Sequence, residues 1–104
     1  MSGSDSMASP SMESRRYLVT GLVQGVGFRW FVEHEAQQLG LRGCVRNTDD
    51  GAVEVVALGT LQQLAQLKQS LERGPRAARV ENVEEGAAPQ NISEYDTFRI
   101  EGAW

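Results

Sequence analysis

Residues 16–23 alternate. Tyr17, Val19, Gly21 and Val23 fall on one parity, and Leu18, Thr20 and Leu22 on the other. A period of two puts the two sets on opposite faces of a strand. From Phe28 to Leu39 the period changes: Phe28, Phe31, Val32, Ala36 and Leu39 recur at helical spacing. Gly40 follows, where a helix commonly ends on a left-handed residue. Residues 42–47 and 53–58 read as strands joined by Thr48-Asp49-Asp50-Gly51, whose Asp-Gly pair is a strong hairpin signal. Thr60 and Gln63 have the spacing of a capping box, ahead of a helix whose buried side is Leu61, Leu64, Ala65, Leu67 and Leu71. Gly74-Pro75 ends that helix. Residues 77–84 read as a further strand in which Val80 and Val83 do not alternate, residues 86–93 as a loop, and residues 97–100 as a short last strand.

The order is therefore β-α-β-β-α-β with one extra short strand. Two amphipathic helices must bury their stripes on something, and one sheet covered on one face satisfies both. With right-handed crossovers this predicts an α+β fold, a ferredoxin-like α/β sandwich. Its sheet is mostly antiparallel, both helices pack on one face, and the first and third strands are adjacent and central. Residues 1–14 are Ser-rich, without periodicity, and read as a disordered N-terminal extension; residues 15–104 form the single domain.

Composition narrows the function. Ten basic and fourteen acidic residues give a net charge of −4, which argues against a broad basic surface for nucleic acid. Cys44 is the only cysteine and His34 the only histidine, so neither an intrachain disulfide nor a Cys- or His-rich metal site within one chain is expected. No stretch approaches the roughly 20 apolar residues of a membrane span, and residues 1–14 lack the apolar core of a secretory signal. A cytoplasmic monomer without metal or cofactor is the expectation.

The chemistry concentrates in Gly21-Leu22-Val23-Gln24-Gly25-Val26-Gly27-Phe28-Arg29, a glycine-rich turn from strand to helix. Gly25 and Gly27 would serve either a tight turn or the close approach of backbone N–H groups to an oxyanion. Arg29 lies in the first helical turn, where the helix dipole disfavours a cation; a bound anion would account for it. Its planar fork suits a phosphoryl group. The glycine spacing fits neither a P-loop nor a dinucleotide fingerprint. Asn47 ends the second strand and reads either as a turn residue or as a neutral group that positions water, with the Thr48 hydroxyl beside it. Asp49 and Asp50 read as a solvated turn, His34 as a surface residue and Cys44 as packing. Arg42 and Arg46 read as surface charge, Trp30 as packed near the helix start or partly exposed, and Trp104 as a terminal clasp.

The segment 21–29 closely resembles the first signature of acylphosphatases. Residues 43–53, Gly43-Cys44-Val45-Arg46-Asn47-Thr48-Asp49-Asp50-Gly51-Ala52-Val53, continuing to Gly59, resemble the second. The resemblance runs from about residue 16 to near the C-terminus. It implies a ferredoxin-like sandwich that hydrolyses the carboxyl–phosphate bond of acylphosphates without a metal or other cofactor. Gln24, Gly25, Val26, Gly27 and Phe28 would form the phosphate cradle. Arg29 would be the essential phosphate-binding arginine, Asn47 would orient the attacking water, and Thr48 would support the site. Small acylphosphates are the implied substrates, with inorganic phosphate as product and competitive inhibitor. Two departures stand out: Cys44 occupies a position that is usually aromatic, and the N-terminal extension is long. A non-catalytic anion-binding module and an RNA-binding sandwich share this topology; Arg29 and Asn47 together favour the enzyme.

Overall fold

The computed structural model describes residues 11–102. Residues 1–10 of the expected extension and Trp104 lie outside the described residues. Strand β1 (Glu13–Leu22) leads through the glycine turn into helix α1 (Phe28–Leu39). Strands β2 (Arg42–Asn47) and β3 (Val53–Gly59) form the hairpin, and helix α2 (Leu61–Arg73) leads to β4 (Arg79–Gly86). A 3₁₀ turn (Gln90–Glu94) precedes the short β5 (Phe98–Ile100). The sheet order is β4-β1-β3-β2-β5, antiparallel except where β5 runs parallel to β2. This is the ferredoxin-like arrangement that the element order predicts, with β1 and β3 adjacent and an added edge strand.

Both helices bury their stripes on the same sheet face. Phe28, Val32 and Ala36 of α1 and Leu64, Leu67 and Leu71 of α2 share a core with Tyr17, Val19, Val45, Val53, Val55 and Ala57. The Tyr17 hydroxyl donates to the carbonyl of Leu64 at 3.3 Å, tying β1 to α2. Burial, then the charge of Glu85, pushes its pKa up to about 12, so the phenol stays neutral. The capping box is complete: Thr60 Oγ1 accepts from the Gln63 N–H at 3.1 Å, and Gln63 Oε1 accepts from the Thr60 N–H at 2.8 Å. Gly40 caps α1 in the left-handed region, with φ 80°.

The opposite face is mixed. Cys44, Val56, Leu58 and Ile92 form a small second cluster, with Ala88 and Tyr95 from the β4–β5 connection packed on it. Burial raises the Cys44 thiol above its ordinary pKa, as a packing role requires. Beside this cluster Glu54 is flanked by Arg16 and Arg46. Burial alone would raise its carboxyl, but the two guanidiniums hold it below the ordinary value.

Four expectations need correction. Strand β1 takes in Glu13 and Ser14, placed in the extension by their polarity, because their backbones pair with Gly59 and Leu58 whatever the side chains are. Leu61 and Ala65 are exposed. Leu61 opens the helix, and Ala65 is turned about 100° from Leu64 at 3.6 residues per turn. Ser70 is buried instead, donating to Glu35 Oε1 at 2.9 Å. Strand β4 spans Arg79–Gly86 rather than 77–84, and its irregular valines mark a bulge. Thr20 pairs with Asn82 but Gly21 with Val80, so Glu81 is extra and both valines reach the core. Finally, the expected loop 86–93 begins inside β4 at Gly86 and runs into the 3₁₀ turn Gln90–Glu94.

Gly43 lies within β2 at φ 139°, and a Cβ there would collide with the carbonyl oxygen of Val56. Gly43→Ala should therefore lower the urea midpoint, costing about 1–3 kcal/mol. Gly86→Ala, where a Cβ meets nothing within 4 Å, should stay within about 0.5 kcal/mol. Equal midpoints for the two variants would contradict this packing.

Candidate active site

The turn after β1 holds its shape through glycine. Gly25 and Gly27 have φ of 75° and 77°, and a Cβ would meet nothing within 4 Å at either. The requirement is thus backbone conformation and not crowding. Gly27 is the N-cap of α1 and brings no side chain to the first-turn amides, which are the donors an anion can take. Arg29, in that first turn, is 6% exposed, and its Nη1 donates to the carbonyl of Glu101 at 3.3 Å. Glu101 is held in turn by its own N–H on the carbonyl of Val45, at 2.9 Å.

Asn47 reaches the same place from the other side. It ends β2 and pairs with Val53, which pairs across β3 with Val19 of β1. Its Oδ1 is buried and, among the described residues, has no hydrogen-bond partner. A cavity of about 170 Å³ is lined by Val23, Gly25, Gly27, Phe28, Arg29, Trp30 and Asn47. A water occupies about 30 Å³ of liquid, so the space admits a phosphoryl group together with a water. A larger groove of about 470 Å³ follows the β1–β4 edge, but Arg15 there is paired with Glu85 at 3.4 Å.

Of the expected cradle, Gly25, Gly27 and Phe28 line the cavity. Val26 packs against the core instead. The Gln24 side chain also turns away: its Nε2 donates to the carbonyls of Thr48 at 2.8 Å and Ala52 at 2.7 Å. It thereby fastens the glycine turn to the β2–β3 hairpin. Thr48 is occupied within that hairpin, its Oγ1 donating to Asp50 and accepting from the Ala52 N–H at 3.0 Å. The Thr48 hydroxyl lowers the pKa of the exposed Asp50. Cys44 and Arg46 lie on the other sheet face, and His34 is exposed. No three His, Cys, Asp or Glu side chains among the described residues are placed to hold a metal ion. Sequence reasoning missed Val23 and Trp30 as cavity walls and the Glu101 carbonyl behind Arg29. A valine and a tryptophan at a turn read as packing, and a main-chain acceptor has no residue signature.

Fold and cavity together define a small α+β sandwich with an anion-sized pocket at a strand–turn–helix corner. The acylphosphatase family model matches residues 15–100. The acylphosphatase of Koribacter versatilis is 58% identical over 103 residues, covering 98% of this chain and 92% of that protein. The structure of an acylphosphatase from Coxiella burnetii matches with a TM-score of 0.79 at 36% identity, over 86% of this chain and 93% of that one. That of Bacillus subtilis acylphosphatase matches with a TM-score of 0.76 at 34% identity, over 88% and 100%. The chain belongs to the acylphosphatase family. Its reaction is the hydrolysis of an acylphosphate to a carboxylate and inorganic phosphate.

Gln24→Ala removes both tethers between the glycine turn and the hairpin. At about 0.5–1.5 kcal/mol per hydrogen bond, it should cost about 1–3 kcal/mol in urea unfolding at unchanged m. Amide exchange should speed up in residues 48–52. A loss below about 0.5 kcal/mol with unchanged exchange would deny the tether a structural role.

Proposed function

We propose that the cavity between the glycine turn and Asn47 is the catalytic centre, and that Arg29 and Asn47 divide its work. The phosphoryl oxygens dock on the main-chain amides of residues 24–28 and on the Arg29 guanidinium. Charge that develops on these oxygens meets donors already fixed in place, the usual largest contribution of such a site. Asn47 Oδ1 accepts a hydrogen bond from the attacking water, which turns an oxygen lone pair of that water towards phosphorus. The water oxygen bonds to phosphorus as the bond to the bridging carboxyl oxygen breaks. The electron pair leaves with the carboxylate, and the water's proton passes to solvent or phosphate. A carboxylate is a weak base, so no strong general acid is needed.

The observation that carries this reading is the Asn47 Oδ1 atom. A buried acceptor without a partner costs about 1–3 kcal/mol. Asn47 stands on the wall of the cavity that Arg29 also lines, so a small rotation of its amide brings this acceptor to a water held there. Thr48 acts through Asn47: by organising the hairpin it fixes the end of β2. The protein itself supplies the positive charge, so the step is written without a metal. Inorganic phosphate, the product, fits the same seat and competes with substrate. A cytoplasmic monomer suits the site, since one chain provides every group and its lone thiol is buried.

With benzoyl phosphate and chelator present, Arg29→Ala should lower kcat/KM by at least about 10²–10³-fold, the size of one lost oxyanion contact. It should also weaken inhibition by phosphate. Asn47→Ala should lower kcat comparably while keeping phosphate inhibition near that of the wild type. Near-equal turnover in Arg29→Ala would overturn the assignment. In ¹⁸O-labelled water, a single turnover should place the label in phosphate; label in benzoate would mean attack at the acyl carbon.

A further inference from the structure

Trp30 is 65% exposed, more than Met12, Leu22 or Leu61, the other large apolar side chains left in solvent among the described residues. The core does not use it, yet it forms one wall of the cavity. Its ring is held in place. His34, one helical turn on, stacks against it with centroids 5.5 Å apart and planes 5° from parallel.

We propose that Trp30, backed by His34, is the specificity-determining platform for the acyl group, selecting aromatic over small alkyl acylphosphates. The proposal rests on the phosphoryl seat described above. The acyl carbon is one bridging oxygen from phosphorus, so once the phosphoryl group is seated, the rest of the substrate must leave along a cavity wall. Val23 and Phe28 are each 1% exposed and present little surface to it. Trp30 presents a broad flat one. Its exposed indole face gives a benzoyl ring a stacking area that an acetyl group is too small to use. The stack on His34 restrains the indole before substrate arrives, which reduces the ordering cost of binding.

The test compares kcat/KM for benzoyl phosphate and acetyl phosphate in full-length Trp30→Ala, Trp30→Phe and His34→Ala. The benzoyl-to-acetyl ratio should fall about five- to tenfold in Trp30→Ala, the scale of one aromatic contact. It should fall less in Trp30→Phe and in His34→Ala. A ratio within twofold of the wild type in Trp30→Ala would overturn the proposal. So would a loss that varies with protein concentration, which would make Trp30 a contact between copies of the chain. Failure of the phosphoryl seat itself would appear separately, as retained turnover in Arg29→Ala.

Discussion

Val53 pairs with Val19 on one side and Asn47 on the other. That one register point of β3 sets the distance between the two halves of the site. The glycine turn leaves β1 just beyond Val19, and Asn47 ends β2. Side chains in a strand alternate between faces, so a one-residue slip would send Asn47 to the wrong side of the sheet. The register is enforced by burial, since Val19, Val45, Val53 and Val55 are all fully buried on the helix face. Gln24 adds a second constraint by bonding the turn directly to the hairpin. The core thus does more than stabilise: it places Arg29 and Asn47 around one small cavity.

Arg29 runs against local stability. A guanidinium at a helix start opposes the dipole, and its burial costs solvation. The Glu101 carbonyl, fixed through Val45, offsets part of this and aligns the fork. The added edge strand β5 therefore has a role beyond covering the sheet, because it leads the chain to that carbonyl. The unpartnered Asn47 Oδ1 and the exposed Trp30 are further departures from what stability alone would favour, and both residues line the same cavity. Three such departures in one place are what a site built for a ligand would show.

Most of the fold was legible because its signals are local. The alternation in β1, the stripe of α1, the Asp-Gly hairpin and the Thr60–Gln63 box each lie within a dozen residues. The β4 register was not legible, because the bulge opposite Gly21 is a property of two strands about sixty residues apart. There a Cβ at residue 21 would run into the Arg79 carbonyl, but nothing in either segment alone says so. The motif residues Arg29 and Asn47 could be singled out from chemistry and spacing. The directions of Gln24 and Val26 could not, because a turn without a periodic pattern does not say which side chains face in. The Glu101 contact was hidden for a related reason: a backbone carbonyl is present at every position.

In the proposed site the turn amides and Arg29 together make the phosphoryl seat. Its most direct test is a phosphate titration of the ¹⁵N-labelled protein followed by amide chemical shifts. Saturable shifts should be largest at Gly25, Val26, Gly27 and Phe28, with the Arg29 side-chain resonances moving in step, and should be lost in Arg29→Ala. Shifts centred elsewhere, such as the β1–β4 groove near Arg15, or an unchanged response in Arg29→Ala, would contradict it.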